Sequence, residues 1–300
     1  MITIFKRILN ILNYINVHPL AKRHKLSAYS KFIKWQLLQF IMPRERTVSF
    51  TDKTFLAVKK GMTGATGNIY LGLHEFNDMG FLLHFLRDED VFFDIGANIG
   101  SYTILASGHC KAKTISFEPI AATFDSLQKN IALNKLEHLV IAKNIGISDS
   151  ENILLFTNSM DTVNHVLAIS ENSSLISSIP VYPADYFLKD FGCPIMIKID
   201  VEGYEDWVLK GMPLTLKNEK LKAIIIELNG SGYKYGIDDT QIHNELLLLN
   251  FHPVNYNPFT RILTRLKSFG DTNTIYIREI EFVEMRIKNA DKVDLFTESF

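Results

Sequence analysis

Val91-Phe92-Phe93-Asp94-Ile95-Gly96-Ala97-Asn98-Ile99-Gly100 is a short apolar run that ends in an acid and passes straight into paired glycines. A second apolar run, Ile115-Ser116-Phe117-Glu118-Pro119, also ends in an acid, and Glu118 stands 18 residues beyond Gly100. A strand, a glycine turn opening a helix, and an acid-tipped second strand form the first half of a nucleoside pocket in an open parallel sheet. The stretch therefore predicts an α/β fold and an enzyme that holds a nucleoside cofactor.

The chemistry of the loop narrows the cofactor. In a dinucleotide fold the glycines meet a pyrophosphate, and an acid at position 94 would bring negative charge towards negative charge. S-adenosylmethionine instead carries a sulfonium and an ammonium, which Asp94 favours, while its carboxylate can take the free N–H groups of the helix after Gly100. Glu118 is placed to accept ribose hydroxyls. The loop also lacks the third glycine of the dinucleotide pattern, because Gly96-Ala97-Asn98-Ile99-Gly100 reads G-x-N-x-G.

Outward from this stretch, strands and helices alternate. Downstream, Thr114–Glu118, a helix over 122–133 and a strand over 140–144 predict parallel strands with crossover helices. Residues 151–181 break the rhythm, with short strands expected at 153–156 and 179–182 around a Ser/Asn-rich loop from Thr157 to Ser178, an insertion over the pocket mouth. The doubly wound pattern resumes with strands at 194–199, 223–227, 253–256 and 274–278 and helices over 205–216 and 240–250. Upstream, strand-like segments at 47–50 and 55–59 precede Gly61, Gly64 and Gly67 and a helix over 77–86.

A second chemical cluster, Lys198-Ile199-Asp200-Val201-Glu202-Gly203-Tyr204-Glu205, closes the strand at 194–199. Strand alternation places Lys198, Asp200 and Glu202 on one side, and Gly203 permits a sharp turn. With Asp94, Glu118 and Glu227, four parallel strands end in an acid. One acid of this kind reads as a helix cap. Four on one rim point to a site.

Composition fits one large catalytic domain with an appendage. The chain has 300 residues, 47% of them hydrophobic, enough for a sizeable core. Its two cysteines, Cys110 and Cys193, argue against a disulfide framework and for a reducing cytoplasm, and its nine histidines show no metal-ligand spacing. The net charge of −1 hides an asymmetry: residues 1–50 carry nine Lys/Arg against Glu45, a net of +8, which leaves −9 for the rest. No nucleic-acid partner is expected of that acidic body. Residues 1–48 read as a basic helical extension and 49–300 as the catalytic domain. Ile4, Ile8, Ile11, Leu12 and Ile15 share one helix face, and Phe32, Trp35, Leu38 and Met42 another before Pro43. The runs are too short to span a bilayer. Packing of these helices on the acidic body is expected, with contact of residues 1–42 with an anionic membrane surface or capture of an acidic acceptor as the other options. Nothing in the sequence sets the oligomeric state.

Asp94-Ile95-Gly96-Ala97-Asn98-Ile99-Gly100, Phe117-Glu118-Pro119, Asn130-Ile131-Ala132-Leu133-Asn134, Lys198 to Glu205 and Leu209-Lys210-Gly211 occur in the order and spacing of the FkbM family of S-adenosylmethionine-dependent methyltransferases, which the chain resembles from about residue 55 to 280. The lead-in from Thr66 to Phe76 is similar to that of one branch of the family. The resemblance implies a class I methyltransferase sheet, Rossmann-like, of seven mostly parallel strands with the last antiparallel and helices on both faces. It also implies O-methylation, commonly of sugar or polyketide hydroxyls. On that analogy Asp94, Gly96, Asn98 and Gly100 hold the methionine part, Glu118 the ribose, and residues from Gly146 to Asp149 the adenine end. A small-molecule or glycan acceptor must surrender a proton, and Asp200 is the first candidate base, ahead of Glu202 and then His74 or Glu227. Lys198 either steadies the carboxylates or holds an acidic acceptor. A nicotinamide-dependent oxidoreductase and a non-catalytic binding module on the same fold are the competing readings.

Overall fold

The computed structural model describes residues 2–157, 164–168, 175–295 and 298–300, with the side chains of residues 2–7 and 63 left aside. Its centre is an eight-stranded sheet. The strands are β1 (Val91–Ile95), β2 (Lys113–Phe117), β3 (Val140–Lys143), β4 (Met196–Ile199), β5 (Ala223–Glu227), β6 (His252–Asn257), β7 (Ile262–Arg265) and β8 (Asn273–Ile277), in the spatial order β7-β6-β8-β5-β4-β1-β2-β3. The first five are parallel, and β8 runs antiparallel between β5 and β6. This is the doubly wound sheet anticipated, lengthened from seven strands to eight. The addition is β7, a hairpin partner of β6 on the open edge. Its residues are largely exposed, so no buried face marked it in the sequence.

Side-chain alternation divides the strands between two cores. Phe92, Met196, Ile225 and Ile275 point to one face, where they meet Phe81, Leu82 and Leu105. Phe93, Ile197, Ile224 and Tyr276 point to the other, against Val208, Met212 and Leu246. At the usual 25 cal/mol per Å², each of these fully buried large apolar side chains contributes about 1.5–3 kcal/mol. Strands buried on both faces explain why β1, β4 and β5 read as continuous apolar runs.

Two expected helices are interrupted. The expected helix over residues 205–216 is split into Glu205–Lys210 and Pro213–Lys217. A Cβ on Gly211 would lie 2.0 Å from the Ser148 carbonyl, so the chain needs glycine there, and Pro213 then starts a new helix. The helix after Gly100 makes one α-helical turn, Ser101–Ile104, and continues as a wider π turn, Leu105–His109. Conversely, the glycine-spaced stretch forms a helix, Thr63–Leu71, whose Gly64, Ala65 and Asn68 line the inner part of the site.

The insertion after β3 is a three-stranded sheet of Gly146–Ile147, Ile176–Tyr182 and Asn152–Thr157. Much of the expected Thr157–Ser178 loop lies outside the described residues.

At the amino terminus, α1 (Ile2–Val17) and α2 (Lys25–Ile41) pack through Ile15, Ala28 and Phe32 onto Tyr70 and Leu71, with Trp35 buried beside them. Met42 is exposed, and the side chain of Ile4 lies outside the description. His18 Nε2 lies 2.9 Å from the Leu73 carbonyl, and Arg23 pairs with Glu298 at 2.9 Å. Packing on the body is thus borne out for one face of these helices. Among the described residues no helix is long and apolar enough to cross a membrane.

Candidate active site

The carboxyl ends of β1, β2 and β4 converge because the glycines let the backbones touch. Gly96 has φ +77°, and a Cβ there would sit 1.8 Å from the Asp200 carbonyl oxygen. Only glycine permits both the left-handed turn and that approach. Gly100 shares the left-handed backbone, at φ +94°, and faces the Leu127 side chain. The loop between them is pinned to β2 by the Gly96 and Ala97 N–H groups, which donate to the Phe117 carbonyl at 3.0 Å.

Two cavities open along this rim. The outer one, about 730 Å³ including its open mouth, is bounded by Gly96, Asn98 and Glu118 on the sheet side. Ile147, Phe156 and Val166 give it an apolar far wall. The inner one, about 550 Å³, is bounded by Asp94, Lys198, Asp200, His74, Glu75 and Tyr102. Gly96, Asn98 and Asp200 line both, so the two cavities meet at the glycine loop.

Glu118 is buried at this junction. Its Oε2 accepts the Asn98 N–H and its Oε1 the Ile120 N–H, each at 2.9 Å. Burial raises its pKa to about 7, against the pull of those two bonds. Asp94 is buried more deeply and accepts from Thr103 Oγ1 at 2.5 Å, so its carboxylate ties the helix after Gly100 to β1. Burial raises it to about 6, with Thr103 and Lys198 opposing.

Lys198 is the buried cation of the inner cavity. It stands beside Asp94 in the β1–β4 register, and its ammonium donates to Asp200 Oδ2 at 3.0 Å. The Tyr102 ring lies 5.4 Å from the same nitrogen. Burial alone would lower its pKa, but Asp200, Glu75 and Glu227 outweigh that and raise it, so it is charged. Asp200 itself is about a third exposed. Glu227 is hydrogen-bonded to Asp200, and burial together with the Asp200 charge lifts it to about 8. Glu202 sits at φ +56° on the outer cavity, its pKa raised first by burial and then by Asp200. His74 lines the inner cavity with its Nδ1 buried and unpartnered, and burial lowers its pKa.

The structure thus gathers Asp94, Gly96, Asn98, Glu118, Gly146, Lys198, Asp200, Glu202 and His74 around the two cavities, with Gly100 ending the glycine loop as the cap of the next helix. It leaves out Asp149. That side chain is exposed, accepts from the Ser148 and Ser150 hydroxyls at 3.1 Å, and lines neither cavity. Glu75 and Tyr102 were not anticipated. Tyr102 donates to Glu75 Oε2 at 2.7 Å and fixes that carboxylate in the inner cavity. The signal for Glu75 was its place beside His74. Among the described residues no cluster of metal-ligating side chains occurs.

These raised acids set a pH dependence. Glu118, Glu205 and Glu227 hold protons more tightly folded than unfolded, so the stability they confer is present at low pH and lost as pH climbs through about 7 to 8. Buried histidines such as His18 and His84, lowered to about 4, act in the opposite sense, but only below about pH 6.5. The denaturation midpoint should therefore fall between about pH 6.5 and about pH 8.5. A midpoint that rises over that window would show that these carboxyls are not held protonated by the fold.

Residues 94–271 match a family model described as the methyltransferase FkbM domain. Over 150 residues the chain is 31% identical to the hexuronic acid methyltransferase AglP of Haloferax volcanii, an overlap of 49% of this chain and 59% of that protein. Among solved structures it is similar to the FkbM methyltransferase of Methylobacillus flagellatus, at 18% identity and TM-score 0.44, covering 71% of this chain and 54% of that one. It is also similar to precorrin-6y C5,15-methyltransferase of Geobacter metallireducens, at 13% identity and TM-score 0.39, covering 68% and 88% respectively. The chain thus spans little more than half the length of the first two relatives.

Proposed function

We propose that this chain, which belongs to the FkbM family of methyltransferases, methylates a hydroxyl oxygen of a sugar or glycan with S-adenosylmethionine as donor. The observation that carries the reading is the meeting of the two cavities at Gly96, Asn98 and Asp200. One is an apolar-walled recess ended by Glu118, and the other an acid-lined chamber beyond it.

The residues present fit the cofactor. Each Glu118 oxygen accepts one backbone N–H and retains a lone pair for a ribose hydroxyl. Ile147, Phe156 and Val166, with Gly146 beside them, offer an apolar slot for a purine ring. Asp94, Glu118, Asp200 and Glu202 favour a sulfonium and an ammonium, and the same charges oppose the pyrophosphate that an oxidoreductase would bring. When bound, S-adenosylmethionine supplies a methyl group made electrophilic by the positive sulfur.

The chain's own task is to align an acceptor oxygen and receive its proton. Asp200 is the group for this, because it faces both cavities and is partly open. Lys198 keeps it oriented from below, and Glu227 donates to it from the side. Glu75 and His74 bound the space an acceptor ring would fill. A sugar acceptor is supported by the name of the relative AglP, a hexuronic acid methyltransferase.

Isothermal titration with S-adenosylmethionine, its demethylated product and NAD tests the cofactor. The first two should bind and NAD should not; the reverse pattern would overturn the reading. Transfer of labelled methyl to neutral and hexuronic glycosides tests the acceptor. Cofactor binding with transfer to neither class would return the chain to a non-catalytic module.

A further inference from the structure

The helix α2 has two apolar faces, and the fold uses one. Ala28, Phe32 and Trp35 pack inward. On the opposite side Leu26, Ile33, Leu37, Phe40 and Ile41 are exposed, Leu26 by 87%, Phe40 by 86% and Ile41 by 70%. At 100° per residue these five fall within an arc of about 100°, a continuous ridge along the helix. Large apolar side chains scattered singly on a surface need no explanation, but a ridge of five does.

Charge identifies what covers it. Lys25, Lys34 and Arg44 are exposed at the ridge's flanks and end. Beside it, Lys31, Lys34, Arg44 and Arg46 outnumber Glu45, Asp52 and Asp294 in the lining of an open groove between α2 and the hairpin Arg46–Ser49/Phe55–Val58. The acid of residues 1–50, Glu45, is paired with Lys129 at 3.6 Å. A second copy docked on this face would set the same cations against each other. An anionic bilayer would instead accept the ridge among its acyl chains and the cations at its headgroups.

We propose that the outer face of α2 is a peripheral membrane-docking surface, with Leu26, Ile33, Leu37, Phe40 and Ile41 entering the interface of a bilayer that carries anionic lipids. The helix lies in the plane of the membrane, and the inward face continues to hold the extension on the body. The inference is independent of the methyl-transfer reading.

The full chain should sediment with vesicles of phosphatidylcholine and phosphatidylglycerol at low salt and much less with phosphatidylcholine alone. The double variant Leu37→Glu/Phe40→Glu should lower partitioning on the order of tenfold or more, as should Lys34→Glu/Arg44→Glu. All four side chains are on the surface, so both variants should melt as the parent does. Independently, Phe40→Trp should show emission shifted to the blue on addition of the anionic vesicles. The proposal is overturned if the parent does not sediment, if either double variant binds as the parent does, or if the Trp reporter does not shift. It is equally overturned by a concentration-dependent dimer that Leu37→Glu/Phe40→Glu dissociates, since the ridge would then be covered by a second copy.

Discussion

Asp200→Asn should cut turnover on the order of 10²-fold or more while leaving S-adenosylmethionine affinity within a few fold. The substitution keeps the shape of the side chain and an oxygen for the Lys198 ammonium, which donates to Asp200 Oδ2 in the parent. What it removes is the capacity to take a proton. Lys198 also keeps Glu75 and Glu227 as neighbouring charges, so the fold should survive. Titration calorimetry and single-turnover methyl transfer separate the two roles. Equal losses in affinity and turnover would make Asp200 a ligand of the cofactor. Near-normal turnover would move the base to Glu202 or to His74, which lines the inner cavity and has a buried, unpartnered Nδ1.

The rim of the site was legible because its geometry is local. Gly96 must be glycine to let β1 pass the Asp200 carbonyl, and such a constraint shows in the sequence as a glycine after an acid-tipped strand. The same holds for Glu118, whose carboxylate is fixed by N–H groups within its own loop and the one beside it. Glu75 and Tyr102 carried no such mark. They meet only because the start of the helix Phe76–Phe85, where Glu75 is the N-cap, lies against the helix after Gly100, a tertiary event with no periodic trace. Asp149 shows the opposite case: the hydroxyls of Ser148 and Ser150, its immediate neighbours, both donate to its Oδ1, and its exposed side chain lines neither cavity. The apolar wall of the outer cavity comes instead from Phe156 and Val166 of the insertion, beside a Ser/Asn-rich stretch that concealed these apolar contacts. In α2 the inward stripe was visible in Phe32 and Trp35, but a second apolar stripe on the same helix needs the fold to show which one stays outside.

Lys198→Met should be the most damaging single change at the site. Lys198 is 1% exposed and its ammonium lies within a group of acids comprising Asp200, Glu75, Glu227 and Asp94. Methionine fills a similar volume, so the loss is one of charge rather than packing. Removing one partner of a buried pair typically costs about 3–5 kcal/mol. Because Asp200 is about a third exposed and can recover some hydration, the lower end, about 3 kcal/mol, is expected. The cost should depend on pH in a defined direction. Burial and Asp200 raise the Glu227 pKa to about 8, and Lys198 pulls it down. Without the lysine, the folded-state pKa values of Glu227 and Asp94 climb further, so the variant holds still more protons than its unfolded chain. At low pH Glu227 and Asp94 are neutral and the missing cation matters less to them, whereas at alkaline pH they must ionise without it. The stability gap between parent and variant should therefore widen from about pH 5 to about pH 8.5, read as denaturation midpoints at both values. A gap that stays constant would show that Lys198 contributes through packing alone, and a gap that narrows would contradict the assignment of a buried cation neutralising the inner cavity.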